Sequence, residues 1–391
     1  MRTFGVEEEF LIVSPDSGKP LPLAGEVLRL HELDGQMTGL SRQLILTPEL
    51  QQEQIEAVTH PHSSLSELGA EIRAGRTYAD SLAQMAGARI AALGTSPHPV
   101  TPHATSNSRY DAMMDMFALT AREQLTCGCH IHVSVSSDEE GIGVLDRIRG
   151  WLAPLIALST NSPFWNGADS GYASFRTQAW NRWPTAGPTD TFGSAQAYHE
   201  LMGDLLSTGV VTVPDFDARL SRNYPTVEIR VADVCLNPDD TVLLAALVRA
   251  LVETAAREWK AGKPADRIPT ALLRQGAFRA SRWGVRGDLL NPQTHRPDSA
   301  AYVIGVLHDH VRDALDEAGD DAFVADSLER ILRDGTGTEQ QRKAFGRRGQ
   351  LSDVVAHATS LTHQLPATSY SPASGKTAQK QIDLPQRMVT G

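Results

Sequence analysis

The amino-acid sequence predicts an α+β fold with additional helices toward its C-terminal end. Segments in which polar and apolar residues alternate, as in strands, are interspersed with helical patterns along the first two thirds of the chain. Within the last third of the chain, residues 298–364 are mostly helical in pattern. A chain of 391 residues that is 41% hydrophobic and 21% charged has the composition of a globular protein, not of a disordered or fibrous one.

The predicted elements follow one another in a definite order. Strands are predicted at residues 3–13, 54–59, 128–135 and 226–232. Helices are predicted at residues 65–94, 144–158, 194–207 and 238–260, and the first of them begins at the capping pattern Ser64-Leu65-Ser66-Glu67. Residues 161–190 are irregular and rich in tryptophan, and a loop of that length inside a compact domain is usually functional.

The composition changes near the C-terminus. From residue 366 onward Ser, Pro, Thr, Gln and Lys replace the apolar residues, which is typical of a disordered segment. No repeat of 20–50 residues is visible. We therefore expect a single domain over residues 1–365, of which about 298–364 form the helical third, and a disordered tail over residues 366–391.

The net charge and the cysteine count limit the classes of partner and the compartment. The formal charge is −11, from 36 Lys+Arg and 47 Asp+Glu, which disfavours nucleic acids and anionic membranes as partners. No apolar stretch is long enough to span a membrane, and the first ten residues do not resemble a signal peptide. Three cysteines are too few for a disulfide framework in a chain of this size. We therefore expect a cytoplasmic protein.

Three of the predicted strands each carry a pair of polar residues two positions apart. Residues i and i+2 of a strand share one face, so each pair points to the same side of a sheet. The pairs are Glu7 with Glu9, His130 with His132, and Glu228 with Arg230. Side by side, these strands would present a surface of carboxylates and imidazoles, which suits divalent cations.

Each pair has an ordinary explanation when it is considered alone. Acidic residues near a terminus are usually just solvated, and His-x-His pairs often lie at the surface or in a core. A Glu-x-Arg pair on a strand is usually part of a ladder of ion pairs. The occurrence of all three in one chain favours a metal site over these separate explanations.

Two other patterns in the sequence do not support the functions that they suggest. Cys127 and Cys129 adjoin the histidines, but strand parity points them away from His130 and His132, so we expect buried structural thiols and not a zinc site. Residues 374–377 (SGKT) end like a phosphate-binding loop, but Tyr370 stands where its first glycine is required. No dinucleotide-binding glycine fingerprint follows a strand. If ATP is used, metal ions must hold its phosphates.

Six short motifs, in this order and spacing, resemble the type-2 glutamate–cysteine ligase family, whose bacterial members are known as carboxylate–amine ligases. Three of the motifs contain the polar pairs: residues 5–10 (GVEEEF), 128–133 (GCHIHV) and 226–231 (TVEIRV). The other three are residues 158–164 (LSTNSPF), 172–176 (YASFR) and 278–284 (FRASRWG). The resemblance extends from about residue 3 to residue 292. Each motif is weak alone, and the six in order are specific.

The resemblance implies a fold, an activity and a set of site residues. The fold would be glutamine-synthetase-like, with a curved antiparallel sheet forming an active-site funnel and helices on its outer face. The predicted domain would then be the catalytic one, forming an amide with ATP and Mg²⁺ or Mn²⁺. By resemblance the metal ligands are Glu7, Glu9, Glu49, Glu56, His130 and Glu228. Relatives often have Asp at the position of Glu49, and His132 matches a more variable position.

Two arginines and one histidine match groups that contact phosphate in the family. By resemblance, Arg230 steadies the transferred phosphoryl group and Arg176 binds phosphate or substrate, so both are expected to be catalytic. Together with His130, they are also the residues expected to bind ATP. The tryptophan-rich segment, with Trp165, Trp180 and Trp183, is expected either to shape the pocket for the amine or to anchor the packing.

The chemistry agrees with these assignments. A carboxylate is a poor acyl donor, but the γ-phosphoryl group of ATP converts it into an acyl phosphate that an amine can attack. Phosphoryl transfer requires mainly positioning and neutralisation of charge. Metal-bound glutamates and the two arginines supply both, and no side-chain nucleophile is needed. The expected substrates are a small carboxylate, such as glutamate, and an amine, such as that of cysteine or of a specialised metabolite.

Two alternative functions remain open at this stage. One is a metal-dependent hydrolase in which His130, His132 and carboxylates activate water, although the further histidines that such enzymes use are not evident. The other is a non-catalytic protein that binds metal or nucleotide.

We expect the helical C-terminal third either to cap the funnel or to form the face of a homodimer.

Overall fold

The computed structural model describes residues 1–37 and 44–363. The strands are β1 (Phe4–Val13), β2 (Ile45–Pro48), β3 (Gln54–Val58), β4 (Arg89–Ala91), β5 (Gly128–Ser134), β6 (Phe164–Trp165), β7 (Ala168–Asp169), β8 (Ala218–Leu220), β9 (Thr226–Asp233), β10 (Asp288–Leu290) and β11 (Pro297–Ser299). The helices are α1 (Ala24–Met37), α2 (Leu65–Met85), α3 (Ser108–Phe117), α4 (Leu119–Arg122), α5 (Asp138–Ile148), α6 (Leu152–Ser159), α7 (Phe175–Trp180), α8 (Ala195–Ser207), α9 (Pro238–Lys260), α10 (Thr270–Trp283), α11 (Ala300–Ala318), α12 (Asp321–Asp334), α13 (Gly337–Arg348) and α14 (Leu351–Thr362). The predicted tail, residues 366–391, and the motif at residues 374–377 lie outside the described residues.

A seven-stranded antiparallel sheet forms the centre of the structure. Six strands follow the order β2-β3-β1-β5-β9-β8, and β4 pairs with the C-terminal end of β1. The strands β6 with β7 and β10 with β11 form separate two-stranded ribbons. All four strands predicted from the sequence belong to the main sheet, so its central part was predicted correctly.

One face of this sheet packs against helices α2, α5, α6 and α9. The apolar residues that alternate with the polar pairs form this interface: Phe4, Val6, Cys129, Ile131, Val133, Val227 and Ile229. The end of β1 is apolar at every position, from Phe10 to Val13, because a second core under α1, α2, β4 and α14 buries it on both sides. Helices therefore cover the outer face of the sheet, as predicted.

A buried ion pair connects the first strand to the helices behind it. Glu8 points away from its neighbours Glu7 and Glu9, and its carboxylate accepts bonds from Arg76 Nε at 2.9 Å and Nη2 at 2.6 Å. Thr241, in the first turn of α9, donates to the same carboxylate at 2.7 Å. Arg76 also donates to carbonyl groups of Cys235 and Leu236, at 2.8 and 3.1 Å. The pair therefore joins β1, α2 and the start of α9.

Two predicted helices differ from the observed ones. The helix predicted over residues 65–94 ends at Met85, because a turn at Gly87, with φ of +78°, leads into β4. The helix predicted over residues 144–158 begins earlier, where Ser137 caps α5, and a 3₁₀ turn at Arg149–Trp151 divides it into α5 and α6. In both cases the apolar spacing was correct but did not reveal the break.

The C-terminal helices α11–α14 cover most of the segment predicted to be helical, and α11 packs along α9. Within the described residues, no helix is both long enough and apolar enough to cross a membrane.

Replacing Arg76 should test the buried pair. We expect Arg76→Met to lower the free energy of unfolding by about 3–5 kcal/mol, because it leaves the Glu8 carboxylate buried without its cation. The measurement is urea unfolding followed by circular dichroism. Arg257→Met is the control: Arg257 pairs with Glu317 at the surface, and we expect a loss of less than about 1 kcal/mol. Equal small losses in both variants would contradict a stabilising role for the Glu8–Arg76 pair.

Candidate active site

The inner face of the sheet forms the floor of a cavity of about 580 Å³. Seven residues of the predicted site line it: Glu7, Glu9, Glu49, Glu56, His130, Glu228 and Arg230. His132 lines it as well. For the three polar pairs strand parity is the local reason, because each pair points to the side opposite the helices. Glu49 directly follows β2, in the connection to β3.

The register of the strands brings residues of different pairs next to each other. Glu7 lies opposite His130 and Glu9 opposite Glu56, on the two strands that flank β1. His132 lies opposite Glu228 across the next strand pair. Side chains at directly opposed positions of antiparallel strands are within contact distance. Residues distant in the sequence therefore form one continuous polar surface.

Three groups of side chains on this surface have the composition and spacing of cation sites, and we call them the cation-type groups. In each group the potential donor atoms all lie within 4.8 Å of one another. The groups are Glu7 with Glu56 and His130, Glu7 with His132 and Glu228, and Glu9 with Glu49 and Glu56. All six residues predicted as metal ligands occur in at least one group. Carboxylate oxygens are the ligands that Mg²⁺ prefers, and Mn²⁺ also accepts imidazole.

His130 and His132 each have a ring nitrogen on this surface that could act as a metal ligand. His130 Nδ1 lies 3.3 Å from Glu7 Oε2, whereas its Nε2 lies 3.9 Å from Glu9 Oε1 and has no hydrogen-bond partner among the described residues. His132 Nε2 lies 3.2 Å from Glu7 Oε1, within ion-pair range but not aligned for a hydrogen bond. Burial and the charge of Arg230 lower the pKa of His130, which favours the neutral imidazole that can act as a ligand.

The carboxylates are crowded, and their pKa values differ accordingly. Burial, and then the charge of Glu9, raise the pKa of Glu49 to about 8. Burial and the charge of Glu49 raise the pKa of Glu56 well above its usual value. Burial also acts to raise the pKa of Glu7, but the contacts with His130 and His132 outweigh it and hold that pKa below its usual range. A cation would relieve the repulsion around Glu49 and Glu56, so these residues fit a metal site.

Arg230 lies in the cavity beside Glu228, with which it forms a close ion pair. Arg219 on β8 also contacts Glu228, with Nε 2.8 Å from Oε2 and Nη2 3.2 Å from Oε1. These two arginines outweigh the effect of burial and lower the pKa of Glu228 to about 2. Arg219 was not predicted, because a strand of three residues leaves little pattern in the sequence, although the Arg-x-x-Arg spacing of Arg219 and Arg222 is visible there.

Arg176 lies next to this surface but does not line the cavity. Its guanidinium lies against Gly128, and a Cβ at that point of β5 would overlap Nη2, so any larger residue would have to displace the buried Arg176 side chain. Arg176 donates to the carbonyl oxygen of Arg230 at 3.3 Å. The ring of Trp180 lies 5.6 Å from the guanidinium carbon of Arg176 and 5.4 Å from that of Arg230. The contact of Arg176 with phosphate or substrate stays a prediction.

The walls of the cavity come from segments outside the main sheet. Trp180 and Trp183 line it, whereas Trp165 does not. Helix α3 contributes Arg109, Tyr110 and Met113, and the loop before β8 contributes Asp215. None of these four residues was predicted, because they lie in segments whose position against the sheet is not evident from local sequence patterns.

The three cysteines are buried free thiols, and for Cys127 and Cys129 this burial was predicted. Burial raises the pKa of each thiol well above its usual value, so all three are unreactive at neutral pH. Cys127 and Cys129 belong to the hydrophobic cores and not to the lining of the cavity. They are not zinc ligands with His130 and His132.

Comparisons with known proteins identify the family to which the chain is similar. The sequence model for the glutamate–cysteine ligase family 2 (GCS2) matches residues 3–357. A protein of Paenarthrobacter aurescens, provisionally named glutamate–cysteine ligase 2-1, is 52% identical over 93% of this chain and 95% of its own length. One from Streptomyces avermitilis with the same provisional name is 47% identical over 93% of this chain and 99% of its own length.

Solved structures with little sequence identity share the fold. The glutamate–cysteine ligase of Francisella tularensis, solved with AMP, is 14% identical, has a TM-score of 0.64, and the match covers 94% of this chain and 90% of that one. A bifunctional glutathione synthetase from Pasteurella multocida also has a TM-score of 0.64, at 12% identity, over 92% of this chain and 52% of that one. The predicted glutamine-synthetase-like fold is therefore confirmed.

The hydrolase alternative receives no support from the family or from these relatives. The family match extends over nearly the whole chain, and the relatives carry the name of a ligase. The chain belongs to the glutamate–cysteine ligase family 2 and is an ATP-dependent carbon–nitrogen ligase.

Proposed function

We propose that the protein joins the γ-carboxylate of glutamate to an amine, such as that of cysteine, through an acyl phosphate formed from ATP. The observation that carries the proposal is the convergence of three cation-type groups and Arg230 on one cavity. This arrangement suits phosphoryl transfer to a carboxylate, in which positioning and neutralisation of negative charge are the main requirements. The names of the relatives support glutamate and cysteine as the first pair to test.

The residues that would hold Mg²⁺ or Mn²⁺ are Glu7, Glu9, Glu49, Glu56, His130 and Glu228, and His132 is a further candidate. Bound divalent cations would neutralise the phosphate oxygens of ATP and make the γ-phosphorus more electrophilic. ATP carries several negative charges, and without such neutralisation the acidic cavity would repel it.

Arg230 is the cavity group suited to stabilise the transferred phosphoryl oxygens. Glu228, which Arg219 also contacts, fixes one side of the Arg230 guanidinium. The ring of Trp180 lies against the same guanidinium. Its Nε is buried and has no hydrogen-bond partner within residues 1–37 and 44–363, so it can donate to an oxygen of the substrate. A donor held in place before the reaction stabilises developing charge without the cost of reorganisation.

No side chain is required as a nucleophile. The amine attacks the acyl carbon directly, inorganic phosphate leaves and the nitrogen loses a proton. The thiols of Cys127 and Cys129 are buried within the hydrophobic cores. We propose that the protein forms a homodimer and acts in the cytoplasm.

The direct test is ADP release by the purified protein with ATP and Mg²⁺ or Mn²⁺. L-amino acids are supplied singly and in pairs, and mass spectrometry detects the products. We expect ADP release that depends on both a carboxylate and an amine, together with a new amide mass. Turnover of ATP with water alone, unaffected by any amine, would contradict amide formation.

Neutralising Glu7 tests the carboxylate surface. Glu7→Gln keeps the shape of the side chain but removes a charge shared by two of the cation-type groups. We expect ADP release to fall by at least about 100-fold, the usual effect of removing one group that stabilises the transition state. Glu139→Gln, at an exposed position in the first turn of α5, is the control and should retain full activity. Normal turnover by Glu7→Gln at saturating Mg²⁺ would exclude this metal assignment.

The raised pKa of Glu49 predicts that stabilisation by metal depends on pH. The folded protein holds a proton on Glu49 up to about pH 8, whereas the usual value is 4.5. Binding of this proton stabilises the folded, metal-free protein. The stabilisation is complete below pH 4.5 and is lost as the pH rises toward 8. Metal ions compete with that proton. We therefore expect Mn²⁺ to raise the melting temperature more at pH 8.5 than at pH 6.

The control for this measurement is Glu49→Gln, which cannot bind the proton. We expect its shift in melting temperature with Mn²⁺ to be smaller and to depend less on pH. If Mn²⁺ stabilises the unchanged protein equally at both pH values, Glu49 does not exchange a proton for the metal.

A further inference from the structure

One acidic residue of the cavity stands apart from the cation-type groups. Asp215 lines the cavity from the loop between α8 and β8, not from the floor of the sheet. Among the described residues, each of the five glutamates that line the cavity belongs to at least one of the three groups, and Asp215 belongs to none. Its carboxylate is therefore available for a different ligand.

Asp215 has no cation in contact within the described part of the chain. Its Oδ2 accepts a hydrogen bond from Thr185 Oγ1 at 3.2 Å. Arg230, Arg219 and Arg109 are near enough to act on the carboxylate electrostatically, but their effect does not outweigh burial, which raises the pKa of Asp215. A partly buried carboxylate without a cation is unfavourable, and a cationic ligand would remove that cost.

The backbone around Asp215 is held in place by the tryptophan-rich segment. The amide of Asp215 donates to Thr185 Oγ1 at 2.8 Å, and Trp180 Nε1 donates to the carbonyl of Asp215 at 3.3 Å. The same indole lies against Arg230. Asp215 is thus fixed on the wall close to the arginine proposed to contact the phosphoryl group.

We propose that Asp215 binds the ammonium group of an amino substrate of this ligase. The inference rests on the proposed function, because only an amide-forming enzyme of this kind needs to hold amino compounds in the cavity. Amino acids carry an ammonium group at neutral pH, and a fixed carboxylate is its natural partner. The group has two sources: the α-ammonium of the carboxylate donor, or the ammonium form of the acceptor amine.

Asp215→Asn tests the proposal, since it keeps the size of the side chain and removes the charge. With L-glutamate, L-cysteine and ATP as substrates, we expect the KM of one amino substrate to rise about ten- to hundredfold, the effect of losing a hydrogen bond to a charged group. The KM of ATP should stay within about twofold, because no cation-type group is altered. If glutamate and cysteine are not the pair that the wild type uses, the pair found by the ADP screen replaces them.

Glutarate, which is glutamate without its α-amino group, distinguishes the two sources. If Asp215 binds the ammonium of the donor, the variant has a raised KM for glutamate but the same KM as the wild type for glutarate. If Asp215 binds the acceptor, the KM of cysteine rises with either donor. Unchanged KM values for both amino substrates in a variant with normal ATP turnover would overturn the proposal.

Two further variants separate charge from architecture. Asp215→Glu keeps the charge and should recover part of the lost affinity. Thr185→Val removes the hydroxyl that holds the loop but leaves the carboxylate, so we expect a lower melting temperature and a smaller rise in KM than in Asp215→Asn. Equal KM values in Thr185→Val and Asp215→Asn would mean that Asp215 acts only through the loop. If the wild type turns over no amino pair, the proposed function fails, and this inference fails with it.

Discussion

The arrangement of the site depends on one constraint, the alternation of three consecutive glutamates on the first strand. Glu7 and Glu9 face the cavity, so Glu8 must face the helices, where a carboxylate is costly unless it is paired. Arg76 supplies the cation, and Thr241 supplies a further donor. Because Arg76 also binds carbonyl groups just before α9, the pair fixes the register of β1 against its helices. A shift of one residue would reverse the faces of the strand and remove both glutamates from the cavity.

The sequence predicted the faces of the strands better than it predicted their neighbours. Period-two alternation was enough to assign Glu7, Glu9 and the histidines to one surface. It could not show that Glu9 lies opposite Glu56, because strand order and register depend on the whole sheet. The family resemblance supplied Glu49 and Glu56. On β9, the alternation between cavity-facing and helix-facing side chains ends at Arg230. A β-bulge opposite His130 shifts the register of β9 against β5 by one residue there.

The residues that sequence analysis missed lie where local patterns are weakest. Arg219 is on a strand of three residues, and Asp215 is in the loop before it. Helix α3 has no buried residue, so its amphipathic pattern gives little indication that Tyr110 and Met113 reach the cavity. Arg176 shows the opposite case. Its motif was recognised, but only the structure shows that it fits against Gly128 and does not line the cavity.

The floor and the walls of the cavity follow different physical requirements. The floor concentrates negative charge, and the raised pKa of Glu49 is one consequence of that crowding. Rigid paired strands suit this task, because they keep like charges at fixed distances until cations are bound. The walls come from α3, the tryptophan-rich segment and the loop of Asp215, none of which belongs to the main sheet. Changes in these walls can therefore alter which amine fits without disturbing the carboxylates proposed to serve ATP.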